Sequence, residues 1–169
     1  VELTTQYVVG GGIAITSPDR DINQFLQTWW NHPLNNLDIR CGEWCDELTR
    51  SGELFIVLST DLSGMSYLLA IPASQIQSIQ TRANDTEQEL QFNEYPAPGS
   101  MEGPRWSAWQ EKPDGCEALP FQPVMRHYAI NRPVGSQHGE PDLAPLLRWL
   151  ARYSNWLEDR VRLNRYRQA

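Results

Sequence analysis

The sequence predicts an α+β fold: a small antiparallel sheet packed on a helical hairpin, followed by a long C-terminal helix. Three observations predict it. Between Ser17 and Gly52 apolar residues recur at helical spacing. From Glu53 to Tyr95 they change to the short runs and alternation of strands. From Leu143 onward the helical spacing returns and continues almost to the end of the chain. With 169 residues, 40% of them hydrophobic, the chain can bury the core of one domain that carries an appendage.

Taken in order, Gln6 to Ile15 (QYVVGGGIAI) reads as a strand, a glycine break and a second short strand. Neither Gly-Lys-Ser/Thr nor the G-x-G-x-x-G spacing accompanies Gly10 to Gly12, so a bend is expected there rather than a phosphate loop. Ser17-Pro18-Asp19 opens a helix with Ile22, Phe25, Leu26, Trp29 and Trp30 on one face, and His32-Pro33 breaks it. His32 is read as a polar helix-end residue. A second helix places Leu34, Leu37, Cys41, Trp44, Cys45 and Leu48 on one side and closes at Gly52. Two amphipathic helices joined by a tight Pro turn are expected to pack as an antiparallel hairpin.

Glu53 to Thr60 (ELFIVLST) is a buried strand. Asp61-Leu62-Ser63-Gly64 is turn chemistry, and Met65 to Ile71 returns as its hairpin partner. After a turn at Pro72 to Ile76, the segments Ile76–Arg82 and Glu89–Tyr95 alternate like half-exposed strands around Asn84-Asp85-Thr86. Residues 96–123 hold six prolines and three glycines. They read as a long loop or insertion, with Trp106 and Trp109 on a short strand and Cys116 within it. Val124 to Ile130 recovers strand character, and Asn131 to Gly139 turns the chain toward the last helix. The expected division is an α+β domain over residues 1–131 and, over 132–169, a polar loop with the start of a long helix.

That helix presents Leu143, Leu146, Leu147, Leu150, Tyr153, Trp156, Leu157, Val161 and Leu163 as one wide apolar face. Asp142 is the expected N-cap, which puts Pro145 in the first turn. No Gly, Asn or Pro stops the pattern after Arg167, and the first residue is Val, so the expectation is a chain cut from something longer.

The formal net charge of −7 argues against a general nucleic-acid binder. The charge is uneven. From Asp142 onward six Arg face three acids, which gives that segment +3 and the rest −10. No apolar run approaches the roughly 18 residues of a membrane span, and no signal-peptide pattern opens the chain. Three cysteines cannot all pair. Cys41 and Cys45, one helical turn apart, lack a matching Cys/His pair and read as small buried residues in a reducing compartment.

The search for chemistry leaves one cluster, His127, His138 and Glu140, as candidate ligands of a metal-dependent hydrolase. H-E-x-x-H, H-x-E…C-x-x-C and G-x-S-x-G are all absent, so no catalytic residue, metal or cofactor is assigned. Trp106 and Trp109 are the aromatics free for a glycan- or peptide-binding module; helix packing accounts for Trp29, Trp30, Trp44, Trp149 and Trp156. The arginines of the last helix, Arg148, Arg152, Arg160, Arg162, Arg165 and Arg167, permit a solvated face, a face between subunits or phosphate contacts.

The order of elements resembles the portal proteins of tailed bacteriophages and their prophage copies, over the wing and the start of the stem. The stretches that carry the resemblance are YVVGGGI, DELTRSGELFIVLST, IPASQIQSI and, above all, VMRHYAINRPVGSQHGEPDLAPLLRWLARYSNWLEDR. The last is similar to the family's strand with a central His, a polar loop and a Gly-x-(Pro/Ser)-x-Leu start to a long helix. In this chain that start is Gly139-Glu140-Pro141-Asp142-Leu143, a departure from the family's usual Gly-x-Ser-x-Leu. Residues 96–123 fall outside the resemblance. It implies a structural protein with no active site. Its ring, typically dodecameric, sits at one capsid vertex of the virion and is assembled in the host cytoplasm with major capsid and scaffolding proteins. The ring would conduct double-stranded DNA during packaging and ejection and dock the terminase large subunit and head–tail connector proteins. Arg148, Arg152, Trp156, Arg160, Arg162 and Arg165 would then line subunit interfaces or the tunnel. A virion accessory using Trp106 and Trp109 is the alternative to set beside the hydrolase.

Overall fold

The computed structural model describes residues 1–110 and 122–168 and has the expected α+β class. Three helices lead: α1 (Glu2–Val9), α2 (Arg20–Trp30) and α3 (Leu37–Ser51). Six strands follow: β1 (Glu53–Thr60), β2 (Ser66–Ile71), β3 (Ile76–Arg82), β4 (Asp85–Glu94), β5 (Arg105–Ala108) and β6 (Val124–Ala129). A 3₁₀ turn (Ala144–Leu146) then leads into α4 (Leu147–Gln168). The prolines and Cys116 within residues 111–121 lie outside the described residues.

The strands form one sheet in the order β2-β1-β6-β5-β4-β3, antiparallel except for β5 beside β6. This sheet cannot be flat. Its edges, β2 and β3, are joined by Pro72 to Gln75 alone. Six strands laid flat would put those edges about 24 Å apart, whereas the steps from Ile71 to Ile76 reach at most about 18 Å. The sheet therefore curls, and its concave side holds the core: Phe55, Val57, Ile71, Ile76, Ile79, Phe92 and Met125. Phe55 on β1 and Phe92 on β4 meet edge to face at 5.7 Å although β6 and β5 separate their strands.

Local chemistry explains most element ends. The Asp19 carboxylate accepts from the N–H groups of Asp21 and Ile22 and starts α2. Gly52 ends α3 at φ +80°, and an added Cβ there would stand 2.4 Å from the Glu140 carbonyl carbon. The Asp61 carboxylate accepts from the N–H groups of Ser63 and Met65 to shape the β1–β2 turn.

Several expectations are corrected. Residues 2–9 form helix α1, not a strand before the glycines. Tyr7-Val8-Val9 is strand-like by composition, but Thr5 hydrogen-bonds Asp46 on α3, and Gly42 leaves room for the two helices to approach. The His32–Pro33 turn brings α2 and α3 together where Trp30 Nε1 donates to Asp38 at 2.6 Å, but the broader helix contact of α3 is with α1. Strand β4 begins at Asp85, so the turn before it is shorter and Asn84 takes it at φ +63°. Asp142 does not cap the last helix. Its carboxylate accepts from Asn131 at 2.7 Å, and α4 starts at Leu147, after Pro145 has been spent in the 3₁₀ turn.

Asn35 is 0% exposed and joins the helices to the sheet. Its amide donates to the carbonyls of Trp29 and Ser66, both at 3.0 Å, and its oxygen accepts from Leu68 N at 3.1 Å. Asn35→Ala leaves the Leu68 N–H unpaired, at about 1–3 kcal/mol, and removes one bond each from the Trp29 and Ser66 carbonyls, which keep His32 N and Trp29 Nε1 as donors. The expected loss is about 3 kcal/mol in chemical denaturation; a loss below about 0.5 kcal/mol would show that the three bonds are dispensable.

Candidate functional site

Two features stand out from the body of the fold. The first is α4. Its 22 residues extend about 33 Å, and residues 147–167 are all exposed. Among the described residues its main contacts are with the 3₁₀ turn that precedes it. Leu150 is 57%, Trp149 65% and Trp156 50% exposed, so the packing expected of Trp149 and Trp156 is not found among the described residues. At 100° per residue the apolar arc divides into two stripes. Leu147, Leu150, Leu157 and Val161 form an aliphatic stripe; Trp149, Tyr153, Trp156 and Leu163 form a largely aromatic one.

Arginines border the aromatic stripe. Arg152 lies 5.5 Å from the Trp149 ring centre and Arg160 lies 5.0 Å from that of Trp156, while Tyr153 stacks on Trp156 at 5.9 Å. Arg148, Arg162, Arg165 and Arg167 are exposed along the same helix. Among the described residues no salt bridge reaches any of the six.

The second feature is a polar cluster at the sheet end nearest α4. The His127 side chain is 1% exposed and stacks on Phe55, its cross-strand partner, at 4.3 Å with 3° between the planes. Its Nδ1 lies 2.6 Å from Glu89 Oε1, and its Nε2 lies 3.6 Å from Glu53 Oε1. The longer distance is too great for a good hydrogen bond, so among the described residues Nε2 is buried without a partner and its attraction to Glu53 is coulombic. The same Glu53 oxygen takes His138 Nδ1 and the Gly139 N–H, each at 2.9 Å. Burial pushes the His127 pKa down, but the two carboxylates outweigh it, and the result lies above the ordinary histidine value. For Glu53 burial pushes up. His127, the Gly139 N–H and the charges of both histidines outweigh it, so its pKa is lowered.

The structure thus brings His127 and His138 together, as the hydrolase reading requires, but through Glu53. Glu140 serves the loop through its backbone, donating to Ile130 O and accepting from Asn131. Among the described residues no three His, Cys, Asp or Glu side chains are placed to hold a metal ion. Trp106 and Trp109 also part company. The Trp106 ring packs against the core and donates to Glu94, whereas Trp109 is half-exposed under the Arg126 guanidinium, 4.4 Å from its ring centre.

Comparison with family models, curated proteins and solved structures finds no match to this chain. The site therefore rests on its own geometry.

Two carboxylates and a histidine make a pH prediction. His127 has a raised folded pKa, so its stabilisation is complete below the ordinary 6.5 and is lost as pH rises through the folded value. Glu53 has a lowered one, so its stabilisation is complete above 4.5 and is lost as pH falls through the folded value. The melting temperature is expected to be highest between those limits and to fall on both sides. His127→Gln should flatten the alkaline limb; a limb unchanged in that variant would assign the slope to other groups.

Proposed function

We propose that the chain is a structural subunit of a homo-oligomeric ring of the tailed-bacteriophage portal type. In this reading the ring, typically dodecameric, conducts double-stranded DNA at the capsid vertex and docks the terminase and head–tail connectors. The observation that carries it is α4, a 22-residue helix with both apolar stripes open to water. An exposed apolar surface of that size on a helix is stabilised by a partner, and contiguous patches of this kind mark interaction sites. A second copy is the occupant we favour. The helix segment carries +3 and the rest of the chain −10, so copies attract where α4 of one meets the body of another. Two stripes on different sides of one helix also let it contact two neighbours at once, as a closed ring of identical subunits requires.

The acidic body fits a conduit as well, since a tunnel that transports DNA works best with few phosphate contacts. Capsid, scaffolding, terminase and connector partners, and the virion as location, follow from the resemblance.

Light scattering with negative-stain imaging of the full-length protein tests the proposal. Closed rings with a central channel are expected. A stable monomer or dimer at high concentration would overturn the ring and with it the portal assignment.

A further inference from the structure

We propose that Glu53, His127 and Glu89 form a proton-dependent clasp that governs how firmly the root of α4 is held on the sheet. Such a clasp works in the same way whatever α4 binds.

The clasp sits where the described residues leave a gap in the sheet. β5 is four residues long and ends at Ala108, paired with Met125 of β6, while on its other side it reaches only as far as Gln91 of β4. Past that end, among the described residues, β4 and β6 have no strand between them, and a polar cavity of about 360 Å³ is lined by Glu87, Glu89, Trp109, Arg126 and His127. Glu89 and His127 close the gap from opposite strands at 2.6 Å. On its other side His127 faces Glu53, whose carboxylate holds the loop before α4 through Gly139 N–H and His138. One imidazole therefore lies between the bond that spans the gap and the bonds that hold the helix root.

A neutral imidazole has a single N–H. If Nδ1 donates it to Glu89, the buried Nε2 lone pair is turned toward the Glu53 carboxylate. An imidazolium has an N–H on both sides and one positive charge between two negative ones. Loss of that proton to solvent water breaks one N–H bond and leaves Glu53 facing a lone pair, which weakens the hold on residues 138 and 139. Among the described residues, the other charged or titratable groups facing the site are Glu87 and Arg126 from the cavity wall and His138 from the loop. The two facing carboxylates outweigh burial and displace the His127 pKa upward.

The test is NMR of the full-length chain with nitrogen-labelled histidine, titrated from about pH 5 to about pH 9, a range that spans the ordinary histidine value. Both ring nitrogens of His127 are expected to be protonated at about pH 6, with a midpoint above 6.5, and the Gly139 amide signal should move with the same midpoint. Glu89→Gln should lower that midpoint, and Glu53→Gln should remove the response of Gly139. The wild-type titration is decisive without either variant. A His127 already neutral at the acidic end, or one that titrates while Gly139 stays still, would overturn the clasp. So would stoichiometric uptake of added zinc at the cluster, since a bound metal would displace the proton from the imidazole.

Discussion

Leu150→Asp and Trp156→Asp are each expected to abolish assembly of the full-length protein while leaving the strand signal in circular dichroism unchanged. Both side chains are exposed in the single chain, so neither change opens a cavity or strains the core. In an assembled ring each would put a carboxylate into a helix–helix contact, where an unpaired buried charge costs several kcal/mol. Each further ~1.4 kcal/mol weakens association about tenfold. Gel filtration should therefore show monomer at concentrations where the parent forms rings. The two positions lie on different stripes, which makes the pair informative. Loss in both means that both stripes are covered; loss in one alone identifies the single stripe that meets a neighbour. Asn155→Ala, on the opposite side of the helix, is the control and should leave assembly intact. Unchanged assembly in both Asp variants would remove α4 from the interface.

The largest effect expected on the body itself is from Phe55→Ala. Phe55 is fully buried, meets Phe92 edge to face and stacks on His127, so its ring occupies the centre of the concave side. Truncating a phenylalanine in such a place costs about 3–5 kcal/mol. In a chain of this length that lowers the melting temperature by on the order of 10 °C. Phe55→Leu should cost less, because most of the volume is kept. A thermal melt of the two variants checks the ranking; equal and small losses would mean that the core is centred elsewhere.

Much of the fold is legible in the sequence because local chemistry and tertiary packing agree. Asp19 caps α2, Gly52 ends α3, and the Asp61 turn with its apolar flanks gives the β1–β2 hairpin. Where they disagree, local reading fails. Tyr7-Val8-Val9 looks like a strand and is a helix, because contacts with α3 decide it. Asp142 looks like a cap but is taken by Asn131, so α4 starts later. The parallel pairing of β5 with β6 has no local signature, since only the register across the sheet creates it.

The cluster around His127 is half legible. A histidine within an apolar strand is visible, but Glu53 and Glu89 look like any solvated carboxylate of an acidic chain. What brings them to one imidazole is the pairing of β1 with β6 and the early end of β5. The usable signal is the acid that opens an otherwise apolar strand, ELFIVLST, where a buried charge needs a partner.

The tight meeting of Gly52, Ile130 and Gly139 has a mechanical consequence. Ile130 N donates to Gly52 O, Glu140 N donates to Ile130 O, and Asp142 N reaches Thr49 O, so the base of α4 is tied to the strand pair β1 and β6 and to the end of α3. A pull along α4 thus enters the sheet through two interior strands, each paired on both sides, rather than through an edge. Such a load is shared among many parallel bonds, and the helix can act as a lever whose fulcrum does not peel away.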